Sequence, residues 1–355
     1  MKILVIQQKM IGDVLTSTIL FPILRESFPN AELHYLINSH TMPVVAQHPD
    51  IDEFKLFTPE VEKSRKAFFS FLKLIQKEKY DVVIDVYGKW SSNFITLFSK
   101  ANTKIGYYKW YTHFFYTNPV KRLKKSKNSQ GLAIENRLQL LEPICKNSFK
   151  VKPKIYLSSQ EIEDAKTFLI DSKIDMSQTL FMVSVLGSDA SKTYPLSYMA
   201  NIIDAIVVHT NGNILFNYIP KQKEDAKTVF DLCKPKTQAK IYFNVFGKSL
   251  REFIAISYNC SAIIGNEGGA INMAKAIDIP TFAIFSPWID KNTWNIFEDE
   301  NQSISVHLKD YKPKLFDGKT NKQIKKLVAN YYSEFEPKLF TTKLKCFLNN
   351  LLDIS

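Results

Sequence analysis

KILVIQQKMIGDVLTSTILFPILRESF, residues 2–28, passes from an apolar run into apolar residues at helical spacing. Lys2–Gln7 reads as a strand buried on both faces, the kind found in parallel sheets covered by helices. Val14, Leu15, Ile19, Leu20, Ile23 and Leu24 then predict a helix over 13–28, with Asp13 at the junction. In open α/β sheets ligands bind in the crevice at the carboxyl ends of the strands, so this loop faces a candidate site. An aspartate here has two readings. It caps the helix by accepting a backbone N–H, or its carboxylate acts on a ligand, and the segment alone leaves both open.

Outward from this stretch the pattern repeats. Strands are expected at 32–37, 53–57 and 81–86, and helices near 41–48 and over 61–79. Such alternation builds a parallel sheet between helical layers. Residues 132–145 and 161–170 read as helical. Alternation restarts with strands at 179–185, 213–218, 239–244, 262–265 and 281–285, separated by helices at 195–209, 221–233, 249–259 and 270–276. Two doubly wound α/β domains follow, and a chain of 355 residues is long enough for both. The polar stretch at 172–178 sets the expected boundaries: 1–172, 173–334, and a tail at 335–355 reading as an amphipathic helix that packs back across the junction or lies solvated.

Four widely spaced cysteines, with no CxxC pair, indicate neither a disulfide framework nor a structural metal site. No cleavable leader is read at the amino terminus, and no apolar run approaches the ~18 residues of a membrane span. A cytoplasmic protein, peripheral to a membrane at most, is expected.

The net charge of +12 favours an anionic partner: nucleic acid, phospholipid or a phosphorylated substrate. Ser99–Ile134 holds eight Lys/Arg and no acidic residue, and Tyr107, Tyr108, Trp110, Tyr111, Phe114, Phe115 and Tyr116 crowd ten positions within it. With Lys121, Arg122, Lys124 and Lys125, these aromatics suit a membrane interface or an amphipathic acceptor. The alternatives are aromatics that fill a core beneath solvated lysines, and base stacking on RNA, for which no accompanying motif is found.

Two loops in the second half carry chemistry. In Leu186–Pro195, LGSDASKTYP, Gly187 and Ser188 offer backbone and hydroxyl donors and Lys192 a point charge, which is phosphate-binding chemistry without a Walker sequence. In Gly265–Pro280, GNEGGAINMAKAIDIP, a strand stops at two glycines and a helix N-terminus follows that can meet an anion. Glu267 is placed to bind sugar hydroxyls and Asn272 lies near the first turn. The plain alternative is that Gly268 and Gly269 make a tight turn while Glu267 caps. The loop is not GxGxxG, so hydride chemistry gains no support.

Together these motifs resemble glycosyltransferase family 9, the lipopolysaccharide heptosyltransferases, over most of the chain. KILVIQQKMIGDVLTSTILFPILRE is similar to the family's amino-terminal pattern, whose Gly-Asp follows the first strand and supplies the proposed base. LGSDASKTYPLSYMANII resembles its central loop, with Lys192 matching the lysine that contacts the donor diphosphate and Gly187 and Ser188 matching flanking donor contacts. IIGNEGGAINMAKAIDIPTFAIFSP resembles its carboxyl-terminal pattern, usually Asp-Thr-Gly-x-x-His, with Glu267, Gly268, Gly269 and Asn272 in the matching positions. Gln222 falls where the family often has Glu near the nucleoside. Glu267 for Asp and Asn272 for His are departures that bear on the donor sugar.

The resemblance implies a GT-B fold of two Rossmann-like domains facing a cleft, with acceptor in the first and donor in the second. It implies an inverting glycosyltransferase that moves a sugar, with ADP-heptose as the leading donor, to a lipopolysaccharide-core or other lipid-linked glycan. Asp13 is then the base and Lys192 meets the leaving diphosphate. The basic-aromatic segment, with Lys121, Arg122, Lys124 and Lys125, faces acceptor or membrane. No cofactor, metal or nucleic acid is expected, and the protein is expected in the cytoplasm, peripheral at most to the inner face of the cytoplasmic membrane. Two rivals are kept: a sugar-nucleotide epimerase of similar build, and a non-catalytic anion- or RNA-binding protein.

Overall fold

A computed structural model describes residues 1–126, 131–145, 151–291, 298 and 301–353. The chain divides into two units, Met1–Tyr156 and Leu157–Ser355. In the first unit, β1 (Lys2–Ile6), β2 (Glu32–Asn38), β3 (Glu53–Phe57), β4 (Val82–Asp85), β5 (Thr103–Tyr107) and β6 (Asn118–Val120) form an all-parallel sheet in the order β3-β2-β1-β4-β5-β6. Leu4, Ile6, Leu36 and Val83 pack on Leu72 and Ile75 of the helix Arg65–Lys77, all nearly inaccessible. The chain leaves β1 toward β2 and β3 and returns to β4 on the other side, so the switch point lies between β1 and β4.

The expected helix over 13–28 is two helices, Ile11–Ser17 and Leu20–Ser27. Pro22 has no N–H to give the carbonyl of Thr18, and Thr18 instead takes a tighter bond from Phe21 N (3.0 Å). The helix over 61–79 likewise splits at Ser64, whose extended backbone and hydroxyl cap Arg65–Lys77. Strands β5 and β6 fall inside the basic-aromatic segment, where lysines, Gly106 and Pro119 hide the strand pattern. Lys127, the last cation of that segment, lies outside the described residues.

The second unit repeats the plan with β7 (Leu180–Ser184), β8 (Asn213–Asn217), β9 (Ala262–Asn266), β10 (Thr281–Ile284) and β11 (Ser303–Val306), all parallel, in the order β11-β10-β9-β7-β8. Its switch point lies between β7 and β9. The strand expected at 239–244 is absent: Ile241 makes one isolated bridge to Ile214. Phe243 turns its ring onto Tyr218 (5.2 Å) and Phe230 (5.7 Å), which draws the backbone out of the sheet.

The helix Ser159–Asp171 belongs to the second unit, where Arg251 Nη2 pairs with Glu161 Oε2 at 2.9 Å, so the division falls at 156/157 and not at 172/173. The tail helix Thr341–Leu352 spends its apolar face within the second unit. Leu344, Phe347, Leu348 and Leu351 are buried in that unit's core, with the Phe347 ring 5.7 Å from Phe282. It therefore packs on its own unit and does not lie solvated. No helix among the described residues is long and apolar enough to cross a membrane.

Candidate active site

Asp13 stands at the first unit's switch point. The helix carrying it begins at Ile11, after Met10 with φ +64°, and no side chain caps that helix, so Asp13 is a first-turn acid and not a cap. Its Oδ1 accepts from Arg137 Nη2 at 2.7 Å, and its side chain is 31% exposed. Arg137 is buried in the helix Leu132–Leu138. It also donates from Nε to Ser17 Oγ (3.0 Å) and from Nη1 to Ala133 O (2.9 Å). The guanidinium is thereby fixed in its plane, and it fixes the carboxylate. Ser17 Oγ in turn donates to Asp13 O (2.7 Å).

The chain places a second acid beside β1. Asp85 ends β4 opposite Ile6 and is fully buried. It accepts from Gly88 N and from Tyr116 Oη, each at 2.8 Å. With its amide turned so that nitrogen faces these groups, Asn93 adds donors to Tyr116 Oη (2.8 Å) and Asp85 Oδ2 (3.3 Å). Burial outweighs these bonds and pushes the Asp85 carboxyl up to about 6. Lys109 Nζ donates to Gly88 O at 2.5 Å, and burial lowers its ammonium pKa. Gly106 is required here, because a Cβ would sit 2.2 Å from the Tyr116 ring. Sequence reasoning missed Arg137, Asp85 and Tyr116. Nothing local marks Arg137, which is 124 residues from its partner.

Beside these loops lies a cavity of about 530 Å³, lined by Gln8, Lys9, Arg65, Tyr87, Trp90 and Phe94 among others. None of Lys121, Arg122, Lys124 and Lys125 lines it; all four are exposed. Arg122 lays its guanidinium 3.9 Å from the centre of the Tyr107 ring, and Lys121 lies over Tyr108 at 5.7 Å.

In the second unit the loops after β7 and β9 are tied together by a residue the sequence did not flag. Buried Asn266 donates to Ser184 O (2.9 Å) and accepts from Tyr194 N (2.7 Å). Gly187 must be glycine, since a Cβ would lie 2.4 Å from Lys192 O. Its N–H is already given to Thr193 Oγ1 (3.1 Å) and its carbonyl accepts from Gln222 Nε2 (2.8 Å). The expectation that Gly187 offers a free backbone donor is therefore corrected: it shapes the loop. Gln222 is brought to that loop from the end of β8, and Gly187, Ser188 and Gln222 line a cavity of about 430 Å³.

Lys192, Glu267, Gly268, Gly269 and Asn272 lie outside this cavity's lining. Lys192 Nζ sits 5.7 Å from the Trp288 ring, which Lys325 Nζ also meets at 4.2 Å. Burial raises the Glu267 carboxyl pKa, and the charges of Lys192 and Lys275 pull it down. Gly268 is extended and a Cβ there would meet nothing; at Gly269 it would reach only Met273 Cε, at 3.9 Å. A tight turn thus demands neither glycine. Their absent side chains leave the N-terminus of the helix Gly269–Ala276 open, with no side-chain cap. The glycine the backbone does require is Gly265, at φ +131°, where a Cβ would lie 2.4 Å from Ser184 O.

Among the described residues one group has metal-ligand geometry: Glu32, His34 and Glu53. Lys2 pairs with Glu32 (3.3 Å) and Lys55 with Glu53 (2.5 Å), so both carboxylates already have a cationic partner. The three residues lie at or near the amino ends of β2 and β3, opposite the loops described above.

The profile of glycosyltransferase family 9 (heptosyltransferase) matches residues 68–324. The chain belongs to this family. The matched span holds Gly187, Ser188, Lys192, Gln222, Asn266, Glu267, Gly268, Gly269 and Asn272, and it leaves Asp13 outside. Lipooligosaccharide heptosyltransferase 2 of Haemophilus influenzae is 22% identical over 303 residues, covering 81% of this chain and 84% of the relative. Among solved structures, a glycosyl transferase family 9 protein from Veillonella parvula has a TM-score of 0.76 at 17% identity, covering 94% of this chain and 97% of the other. ADP-heptose lps heptosyltransferase II of E. coli has a TM-score of 0.70 at 16% identity, with coverage of 94% and 99%. The expected fold class stands: the family 9 chain is GT-B, built from two Rossmann-like parallel α/β units.

Proposed function

We propose that this glycosyltransferase moves a sugar, with ADP-heptose as the leading donor, to a glycan of the lipopolysaccharide core or another lipid-linked acceptor, with inversion and without a metal. The carrying observation is the Asp13–Arg137 pair: a carboxylate at a switch point, open to solvent, free of any capping duty and held by a buried guanidinium. A carboxylate so held is oriented to take the proton of an acceptor hydroxyl as that oxygen attacks the anomeric carbon opposite the leaving diphosphate. Lys192 and the uncapped helix N-terminus at Gly268–Gly269 would stabilise the charge that develops on the nucleoside diphosphate, a task a divalent cation performs elsewhere. Gln222 then serves the nucleoside, Ser188 is a donor contact flanking Lys192, and Glu267 and Asn272 serve the sugar. The E. coli relative named for ADP-heptose supports this donor. The action proposed at the inner face of the cytoplasmic membrane follows from the acceptor class.

The test is a thermal-shift panel of nucleotide sugars followed by NMR of the product formed from the stabilising donor and a core-glycan acceptor. Stabilisation by ADP-heptose and a product of inverted anomeric configuration are expected. Product from donor alone would make the chain an epimerase, and retained configuration would remove Asp13 from the role of base.

A further inference from the structure

We infer that the face formed by the helix Trp90–Phe98 and the segment Tyr108–Phe115 is a docking surface for an anionic lipid bilayer. Trp90, Phe94 and Leu97 recur at i, i+4 and i+7, the spacing of a core stripe, yet all three are exposed, Trp90 at 57%. Trp110 and Phe114 are 78% and 66% exposed. The exposed rings gather around the buried Phe115, which lies 6.3 Å from Trp90 and 4.5 Å from Phe114, and Trp90 lies 6.5 Å from Tyr111, itself 5.5 Å from Trp110.

A contiguous exposed aromatic face is unusual on a water-soluble surface and marks an interaction site. Its composition and its rim identify the occupant. Trp and Tyr favour the level of lipid headgroups, where the ring is buried and the polar edge is wet. From Phe114 the rings continue through His113 (6.2 Å) and Tyr108 (5.3 Å) to Lys121, whose ammonium lies over Tyr108. Lys124 and Lys125 follow, both exposed, in a stretch of sequence without an acidic residue. Aromatics that insert beside lysines that stay at the surface match an anionic interface, where each lysine adds attraction. Trp90 and Phe94 also line the 530 Å³ cavity, so the patch and the cavity are continuous.

The proposal does not depend on the transfer reaction, and its test uses no turnover. The full-length protein is sedimented with vesicles of phosphatidylcholine and phosphatidylglycerol, 3:1, and with phosphatidylcholine alone. Wild type should pellet with the anionic vesicles and lose most binding at high salt. W110A/F114A should weaken partitioning at least about tenfold. Lys121→Gln with Lys124→Gln and Lys125→Gln should weaken it up to about 100-fold, on anionic vesicles only. As a readout that needs no variant, brominated lipid should quench tryptophan fluorescence of the wild type, because Trp90 and Trp110 lie on the patch. Absence of quenching, or W110A/F114A pelleting like wild type, overturns the proposal. So does conversion of a dimer to a monomer by W110A/F114A with vesicle binding unchanged, which would make the face a contact between copies. RNA binding lost in the same variants, with vesicle binding unchanged, overturns it as well.

Discussion

Replacing Arg137 with Met should disorder Asp13 and loosen the first unit, and the size of the effect follows from the bonds the guanidinium makes. Arg137 donates three side-chain bonds, to Asp13, Ser17 and Ala133 O. Removing one partner of a fully buried ion pair costs about 3–5 kcal/mol. Asp13 is 31% exposed, so water takes over part of the stabilisation, as it does for surface pairs worth about 0–1 kcal/mol. A loss of about 1–3 kcal/mol is therefore expected for Arg137→Met. Asp13→Asn, which leaves the guanidinium without its counter-charge, should cost a similar amount. Because a two-unit chain need not unfold in one step, the assay is amide hydrogen exchange of the helices Ile11–Ser17 and Leu132–Leu138 in the full chain. The double variant should cost less than the sum of the singles by at least about 1 kcal/mol. Additivity within about 0.5 kcal/mol would show that the two side chains do not act together and would refute the account of Arg137 as the residue that positions the base.

Two further outcomes are expected. Lys192→Ala should weaken ADP binding by about 1.5–3 kcal/mol, roughly 10- to 100-fold, if its charge meets the diphosphate; titration calorimetry decides, and unchanged affinity removes Lys192 from the site. Asp85 has its carboxyl raised to about 6 by burial, so the folded chain holds a proton that the unfolded chain releases near 3.8. Its contribution to stability is therefore fullest below about pH 4 and falls by roughly 3 kcal/mol as pH rises through 6. Asp85→Asn should remove that slope, so the difference in stability between variant and wild type should shift in the variant's favour from pH 4 to pH 8, and parallel curves would contradict it.

Much of the fold was legible because burial on both faces fills most strand positions with apolar residues. Leu4, Ile6, Val183 and Ile264 are fully buried, as their apolar runs required. The segment 239–244 was misread because Phe243 serves ring packing outside the sheet rather than a strand face. The basic-aromatic segment held both of its readings at once: Tyr107, Phe115 and Tyr116 are buried, while Tyr108, Trp110, Tyr111 and Phe114 are exposed. Sequence cannot divide them, because the division depends on where β5, β6 and the helix Trp90–Phe98 lie. In the candidate site, Asp13 was visible from its place after β1. Its partner Arg137 was not, because an arginine in a short helix has no local mark of the carboxylate it meets through the fold. Asn266 was hidden for the same reason, since its two bonds reach residues 72 and 82 positions away.

The measurement closest to the central claim is single-turnover transfer by Asp13→Asn, made alongside donor binding on the same preparation. Loss of a general base predicts a rate about 10²–10⁴-fold below wild type, with donor affinity nearly unchanged because Asp13 acts on the acceptor. A rate near wild type would contradict the account and leave Asp13 as a paired acid in the first turn of its helix.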